Sequence, residues 1–336
     1  MTAPILLTGA SGYVARHVLQ ALLEAGHRVR ASVRSPARGA ALLAALPEGQ
    51  RDRVEVVRLD LLADDGWAQA AAGCAAVVHT ASPFPLAAPK HADDLIRPAV
   101  EGTLRALGAA RTAGVGRVVL TSSIAAITAS ALPPGRDRHD ERDWTDPAHP
   151  SAGPYVRSKM LAERAAWDFI AREGAGIALT ALNPAFVLGP VIGDHVGSSV
   201  GLVRRMLAGK VPMLPRFGLA VVDVRDVARA HVAALERPQT AGRRYVLAAG
   251  SLWLAEMGRV LKAAHPDRRI PVRTAPDLLI RALALVDPAA RTVVPLLGTC
   301  DRLDAGAAAR ELGIAFIPPE ESLRATARDL IAAGLV

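Results

Sequence analysis

The sequence predicts an α/β protein: a doubly wound parallel sheet carrying a smaller, discontinuous, mostly helical second domain. Three observations lead there. Short apolar runs such as Ile5-Leu6-Leu7 and Ala76-Val77-Val78 alternate with longer stretches of helical periodicity as far as Leu188, the pattern of strands buried on both faces between crossover helices. A glycine turn, Gly9-Ala10-Ser11-Gly12, stands between the first apolar run and the first helix, where backbone N–H groups converge on an anion. Beyond Gly189 the alternation stops and helices with short loops take over.

Composition sets the bounds. Half of the 336 residues are hydrophobic (51%), enough for two packed interiors, and aromatics make up only 4%, so those interiors are built from Ala, Val, Leu and Ile. Cys74 and Cys300 make no disulfide framework, and no Cys/His cluster has metal-ligand spacing; no metal is expected, and a reducing compartment fits. The net charge of +8 comes from scattered arginines, since the only lysines are Lys90, Lys159, Lys210 and Lys262. The densest charged run, residues 136–143, alternates in sign and reads as a solvated loop. Nucleic acid is therefore not an expected partner. Ile5-Leu6-Leu7 is too short for a signal-peptide core, and the apolar run over 278–297 is broken by Arg281, Asp287 and Arg291, so it does not span a bilayer. A soluble, cytoplasmic monomer or homodimer acting on a small molecule is expected.

Taken in order, residues 4–7 form the first strand, and the helix after the glycine turn runs to Gly26. The spacing is Gly-x-x-Gly-x-x-Ala. Gly9 permits the tight turn, Gly12 lets the backbone approach a pyrophosphate, and Ala15 sits where helix and strand pack closely, with Ser11, Tyr13 and Val14 in the same loop. The second strand, residues 29–33, ends in Arg34-Ser35-Pro36-Ala37-Arg38. A site for NAD places an Asp or Glu near here to hold the ribose hydroxyls. There is none; Arg34, helped by Arg38, suits a 2′-phosphate and stacks on adenine, which favours NADP(H).

A helix over 39–46 leads to a strand over 54–58 and then Asp60-Leu61. That pair reads equally as the partner and cover of an adenine ring or as a helix-capping turn. The strand at 76–79 ends in Thr80-Ala81-Ser82, followed by Pro83-Phe84-Pro85. Ligands bind at the carboxyl ends of parallel strands, so this turn is expected to touch cofactor and substrate; His79, inside the strand pattern, reads as core. After a helix over 92–113, the strand at 117–120 runs into Thr121-Ser122-Ser123-Ile124. A serine there would bond a substrate carbonyl, or the turn is merely rich in hydroxyls.

Tyr155 and Lys159 open an amphipathic helix over 155–172. Four residues apart, they share a face. A cation beside a phenol lowers a pKa that is ordinarily about 10, which makes Tyr155 a usable general acid near neutral pH. A strand over 178–182 then leads to Asn183-Pro184-Ala185-Phe186-Val187-Leu188-Gly189, and Ser198-Ser199 open a helix to Ala208. Residues 220–224 and the helix carrying His231, a structural residue, read as a return to the first domain; helices are expected over 255–264 and 320–333. The division is thus 1–188, with a return segment near 218–236, against 189–217 and 237–336. Pocket walls around Phe84, Ile124, Val191 and Met213 are expected to be apolar.

Together these pieces resemble the extended short-chain dehydrogenase/reductase family. The motifs carrying the resemblance are residues 8–15, Thr121-Ser122-Ser123, Tyr155-x-x-x-Lys159 and Leu182-Asn183-Pro184. Residues 78–83, 97–103 and 162–167 narrow it to the branch of dihydroflavonol reductases, cinnamoyl-CoA reductases and yeast methylglyoxal/aldehyde reductases. The resemblance implies a Rossmann-type sheet and an NADPH-dependent reduction of an aldehyde or ketone, with Ser123, Tyr155 and Lys159 as the catalytic triad. It implies that Thr121, Pro184, Val187 and Ser199 contact the cofactor, and that Ser82, Phe84, Ser123, Ile124 and Tyr155 face the substrate. A nucleotide-sugar epimerase or dehydratase, a hydroxysteroid dehydrogenase and a non-catalytic NADP sensor are the alternatives. Glu101 stands where many members carry an asparagine, which puts a proton relay through that helix in doubt.

Overall fold

In the first strand, β1 (Ile5–Thr8), Ile5 and Leu7 enter one hydrophobic core while Leu6 enters another. The same alternation in β4 (Ala76–His79) sends Ala76 and Val78 one way and Val77 the other. A strand with apolar side chains on both faces must be covered on both faces. The computed structural model, which describes residues 3–82, 91–174, 176–193, 197–210 and 212–336, shows how this is done. With β2 (Val29–Val33), β3 (Val54–Arg58), β5 (Arg117–Thr121), β6 (Ala178–Pro184), β7 (Phe186–Leu188), β8 (Gly218–Asp223) and β9 (Arg243–Leu247) defined, the main sheet has seven parallel strands in the order β3-β2-β1-β4-β5-β6-β9. Helices Tyr13–Glu24 and Val224–Glu236 cover one face; Trp67–Ala71, Asp93–Thr112 and Pro154–Arg172 cover the other. This is the Rossmann-type α/β fold.

A second core gathers helices Ser198–Leu207, Leu254–Ala264 and Pro319–Ala332 against a three-stranded sheet, order β10-β8-β7, with β10 at Gly250–Trp253. Val203, Met257, Leu261, Leu323 and Leu330 are fully buried there, each contributing about 1.5–3 kcal/mol. Two features depart from the sequence reading. Residues 218–223 pair within this small sheet, although Ala220 and Val222 still pack into the main core along with the helix after them. The main sheet also takes its seventh strand from residues 243–247, beyond the expected return segment.

The order of strands reverses between β1 and β4, which opens a crevice at their carboxyl ends. The glycine turn lies on one side of it and Thr80-Ala81 on the other. Thr8 staples the two: its Oγ1 accepts from the backbone N of Thr80 and of Ala81, both at 3.1 Å.

Candidate active site

Gly9 has φ +68, and a Cβ there would stand 2.9 Å from Ala81 Cα. Only glycine meets both demands without strain. Its N–H donates to Ser32 Oγ (3.1 Å), which leaves Gly12 as the N-cap of helix Tyr13–Glu24 with no side chain over the free N–H groups. That helix end opens into a cleft of about 1010 Å³, whose walls include Gly9, Gly12, Tyr13 and Val14. Arg34 and Arg38 line the same cleft. Both are exposed, and neither guanidinium has a protein partner among the described residues. Such a cradle, with two unpaired cations beside it and no acid, fits the pyrophosphate and 2′-phosphate of NADP(H).

The other expected cofactor contacts divide. Thr80, Ser82, Thr121, Pro184, Val187 and Ser199 line the cleft. Ser11, Asp60, Leu61 and Ala81 do not form its walls: Ala81 lies behind Gly9, and the Ser11 carbonyl accepts from Arg16 Nε at 3.3 Å. Asp60 Oδ1 accepts the Leu62 N–H at 2.9 Å, the local turn, and Leu61 packs against Gly102.

At the centre of the cleft, Ser123 closes β5 in extended conformation and caps a short 3-10 helix, its Oγ accepting from Ala125 N at 3.1 Å. The Ser123 hydroxyl also hydrogen-bonds the Tyr155 phenol. Pro154 starts the helix that carries Tyr155, and Lys159 one turn on holds its Nζ 6.0 Å from the phenol ring centroid. The three side chains are thus brought together. Their electrostatics differ from the simple pairing expected. Burial pushes the Tyr155 phenol up to about 12, against the lowering effect of the Ser123 hydrogen bond. Burial also pulls the Lys159 ammonium down to about 8, with Glu163 acting in the opposite direction. Desolvation disfavours whichever form carries charge, so one cause moves acid and base in opposite directions. The net shift of the phenol is thus upward rather than the expected depression.

His79 is core, as read, but it abuts the site. Thr8 Oγ1 accepts two N–H groups, so its proton goes to His79 Nδ1 at 2.8 Å, and Nε2 carries the ring hydrogen. Burial, reinforced by Lys159, holds the ring neutral with a pKa of about 3. His231 is likewise held: Nδ1 to the Val227 carbonyl and Nε2 to Thr121 Oγ1, both 2.7 Å. Glu101 turns away, pairing with Arg97 and Arg105 on the outer side of its helix.

Ile124 lines the cleft beside Ser123; Phe84 lies outside the described residues. Val191 and Met213 are not wall residues, and the remaining wall of the cleft is mixed, with Thr128, Ser130, His139, His149 and Asp301 beside the apolar Ala129, Leu132, Leu219 and Leu296. The segment 299–302 forms part of this wall because it is threaded between Gly218 and His139: Gly218 N donates to the Thr299 carbonyl (2.8 Å) and His139 N to that of Arg302 (3.0 Å). Distant in sequence, these residues carried no motif. No group of side chains among the described residues has the makings of a metal site, and no described helix is long and apolar enough to cross a membrane.

The chain as a whole is similar to known proteins. Residues 5–248 match the model of the NAD dependent epimerase/dehydratase family. A cinnamoyl-CoA reductase of Medicago truncatula is 31% identical over 332 residues, covering 97% of this chain and 95% of its own. A ketoreductase of Aspergillus niger is 35% identical over 298 residues, 81% of this chain and 86% of its own. The crystal structure of the yeast methylglyoxal/isovaleraldehyde reductase Gre2 complexed with NADPH superposes with a TM-score of 0.81 at 27% identity, covering 99% of this chain and 100% of that one.

Proposed function

Because this chain belongs to the NAD dependent epimerase/dehydratase family, an extended short-chain dehydrogenase/reductase fold, we propose that it is an NADPH-dependent reductase of an aldehyde or ketone. The observation that carries the reading is the meeting of Ser123, Tyr155 and Lys159 in a cleft whose other end presents Arg34 and Arg38. When bound, NADPH supplies the hydride. Gly9, Gly12 and the helix end behind them would hold its pyrophosphate, Arg34 and Arg38 its 2′-phosphate, and Lys159 the nicotinamide ribose. Pro184 and Val187 would pack on the nicotinamide.

The chain's own residues do the rest. Ser123 Oγ, fixed by the Ala125 N–H, orients the carbonyl oxygen by donating to it. Tyr155, fully protonated at neutral pH with its pKa near 12, gives its proton to the oxygen as negative charge gathers there. The Lys159 ammonium stabilises the phenolate left behind. Fixed donors aimed at developing charge are worth about 3–4 kcal/mol each, and a positioned acid adds about 10²–10⁴-fold. The free thiols Cys74 and Cys300 suit the reducing cytoplasm.

The test is loss of NADPH absorbance with a panel of aldehydes, diketones and ketoesters. Turnover of at least one is expected. Silence across the panel, together with turnover of a nucleotide sugar, would transfer the chain to the epimerase reading.

A further inference from the structure

We propose that Glu163 is a positioning residue of the reductase site: it ties the Ser123 turn to the Lys159 helix and supplies the negative charge behind the ammonium. The proposal rests on the reductase reading above. Glu163 is 1% exposed, one helical turn after Lys159. Four donors converge on its carboxylate. Oε2 accepts from Ser122 Oγ at 2.5 Å and Asn183 Nδ2 at 2.7 Å; Oε1 accepts from Arg244 Nε at 2.6 Å and Trp167 Nε1 at 3.3 Å. Removing either partner of the Glu163–Arg244 ion pair would strand the other.

The network reaches the catalytic groups by two routes. Asn183 Nδ2, already on Glu163, also donates to the Ser123 carbonyl at 3.1 Å. Two acceptors on one amide nitrogen fix the orientation of Asn183, since its oxygen would repel both. Glu163 therefore holds the backbone of the residue whose hydroxyl meets Tyr155. The second route is electrostatic. Lys159, Glu163, Ser122 and His79 line a common pocket of only about 10 Å³, and Lys159 and Glu163 are both buried, so solvent screens the carboxylate from the ammonium only weakly. The titratable groups facing Lys159 are Tyr155 and Glu163 on its own helix and His79 at the end of β4, which is neutral. Arg244 on β9 lies behind Glu163. It is itself clamped, donating to the carbonyls of Glu141 (2.7 Å) and Asp143 (2.8 Å) with its guanidinium 3.8 Å from the Trp144 ring centroid. The negative end of this pair thus faces the site.

The experiment compares wild type with Glu163→Gln, and with Glu163→Gln/Arg244→Met in case the stranded arginine prevents folding. Two readouts are taken: the pH profile of kcat with NADPH, and the titration of Lys159 by NMR of labelled lysine. Only four lysines need assignment. The expected result is an alkaline limb displaced to lower pH by about one unit, a tenfold change in the protonation equilibrium, with the Lys159 midpoint moving alongside it. Glu163→Asp should keep the limb near its wild-type place while lowering kcat, because charge is retained and the geometry is not. A folded Glu163→Gln protein with wild-type midpoint for Lys159 overturns the proposal. If wild type reduces no carbonyl, the reductase reading fails, and the lysine titration still decides the role of Glu163.

Discussion

Replacing Arg34 and Arg38 by alanine, singly and together, probes the cofactor end of the cleft. Arg34 follows β2 directly and Arg38 lies in the first turns of helix Pro36–Ala44. Neither side chain is occupied by a protein partner among the described residues, so removing one strands nothing and leaves the fold intact. A hydrogen bond from guanidinium to phosphate contributes about 1.5–3 kcal/mol. At an exposed rim the low end applies, because solvent and salt screen the pair. About 1.5 kcal/mol is roughly tenfold in affinity; two neighbouring arginines sharing one phosphate should give ten- to hundredfold for the pair, short of strict additivity. Dissociation constants for NADPH and NADH, measured by fluorescence titration at low and high salt, carry the comparison. NADPH should weaken by that factor and NADH by no more than about threefold, with the gap narrowing in salt. Equal losses for both cofactors, or an unchanged NADPH constant in the double variant, would refute the phosphate assignment.

Tyr155→Phe should lower kcat by about 10²–10⁴-fold while NADPH affinity, read by the same titration, stays near wild type; full turnover would remove the phenol from the reaction. Gly9→Ala forces φ +68 on a residue with a Cβ and drives that Cβ to 2.9 Å from Ala81 Cα. The conformation alone costs about 1–2 kcal/mol, so the melting temperature should fall by several degrees and NADPH should bind more weakly; a thermal melt that matches wild type with and without NADPH would contradict the cradle. Asp301 has its carboxyl pushed up to about 6 by burial. The folded state then holds its proton where the unfolded chain has released it, so wild type loses stability as pH rises from about 4 to 6, by about 2–3 kcal/mol at most. Asp301→Asn escapes this: its melting temperature should equal wild type near pH 4 and exceed it above pH 6, and a gap independent of pH would be the failing result.

The main sheet was legible because its strands are buried on both faces. Ile5-Leu6-Leu7 and Ala76-Val77-Val78 have no alternative to a sheet interior, and β2, β3 and β4 coincide with the apolar runs read from the sequence. Strand β9 was not legible. Arg-Arg-Tyr-Val-Leu at a sheet edge is defined by its pairing with β6 and by what Arg244 reaches across the fold, neither of which is local. The same limit applied within the site. Helical spacing placed Tyr155 beside Lys159 but carried no information on desolvation, which reversed the expected direction of the phenol's shift. Glu163 was visible as part of a motif, and its place four residues after Lys159 on a face with Ala162 and Ala166 was a signal of burial. Its partners Ser122, Asn183 and Arg244 come from three different strands or strand ends, and only folding assembles them.

The opposed shifts of Tyr155 and Lys159 have a consequence for proton accounting. In water the phenol and the ammonium lose their protons at nearly the same pH. In the cleft they are separated, about 12 against about 8, so on raising the pH the lysine discharges first and the tyrosine remains an intact acid. The alkaline limb of turnover should therefore report loss of the ammonium that stabilises the phenolate, not loss of the proton that is transferred. Burial thus serves the acid and threatens the cation, and a carboxylate behind the cation is the one group whose sign opposes that threat. Tyr155 needs no such support, and Glu163 with its counter-ion Arg244 stands one helical turn beyond Lys159, two turns from the tyrosine.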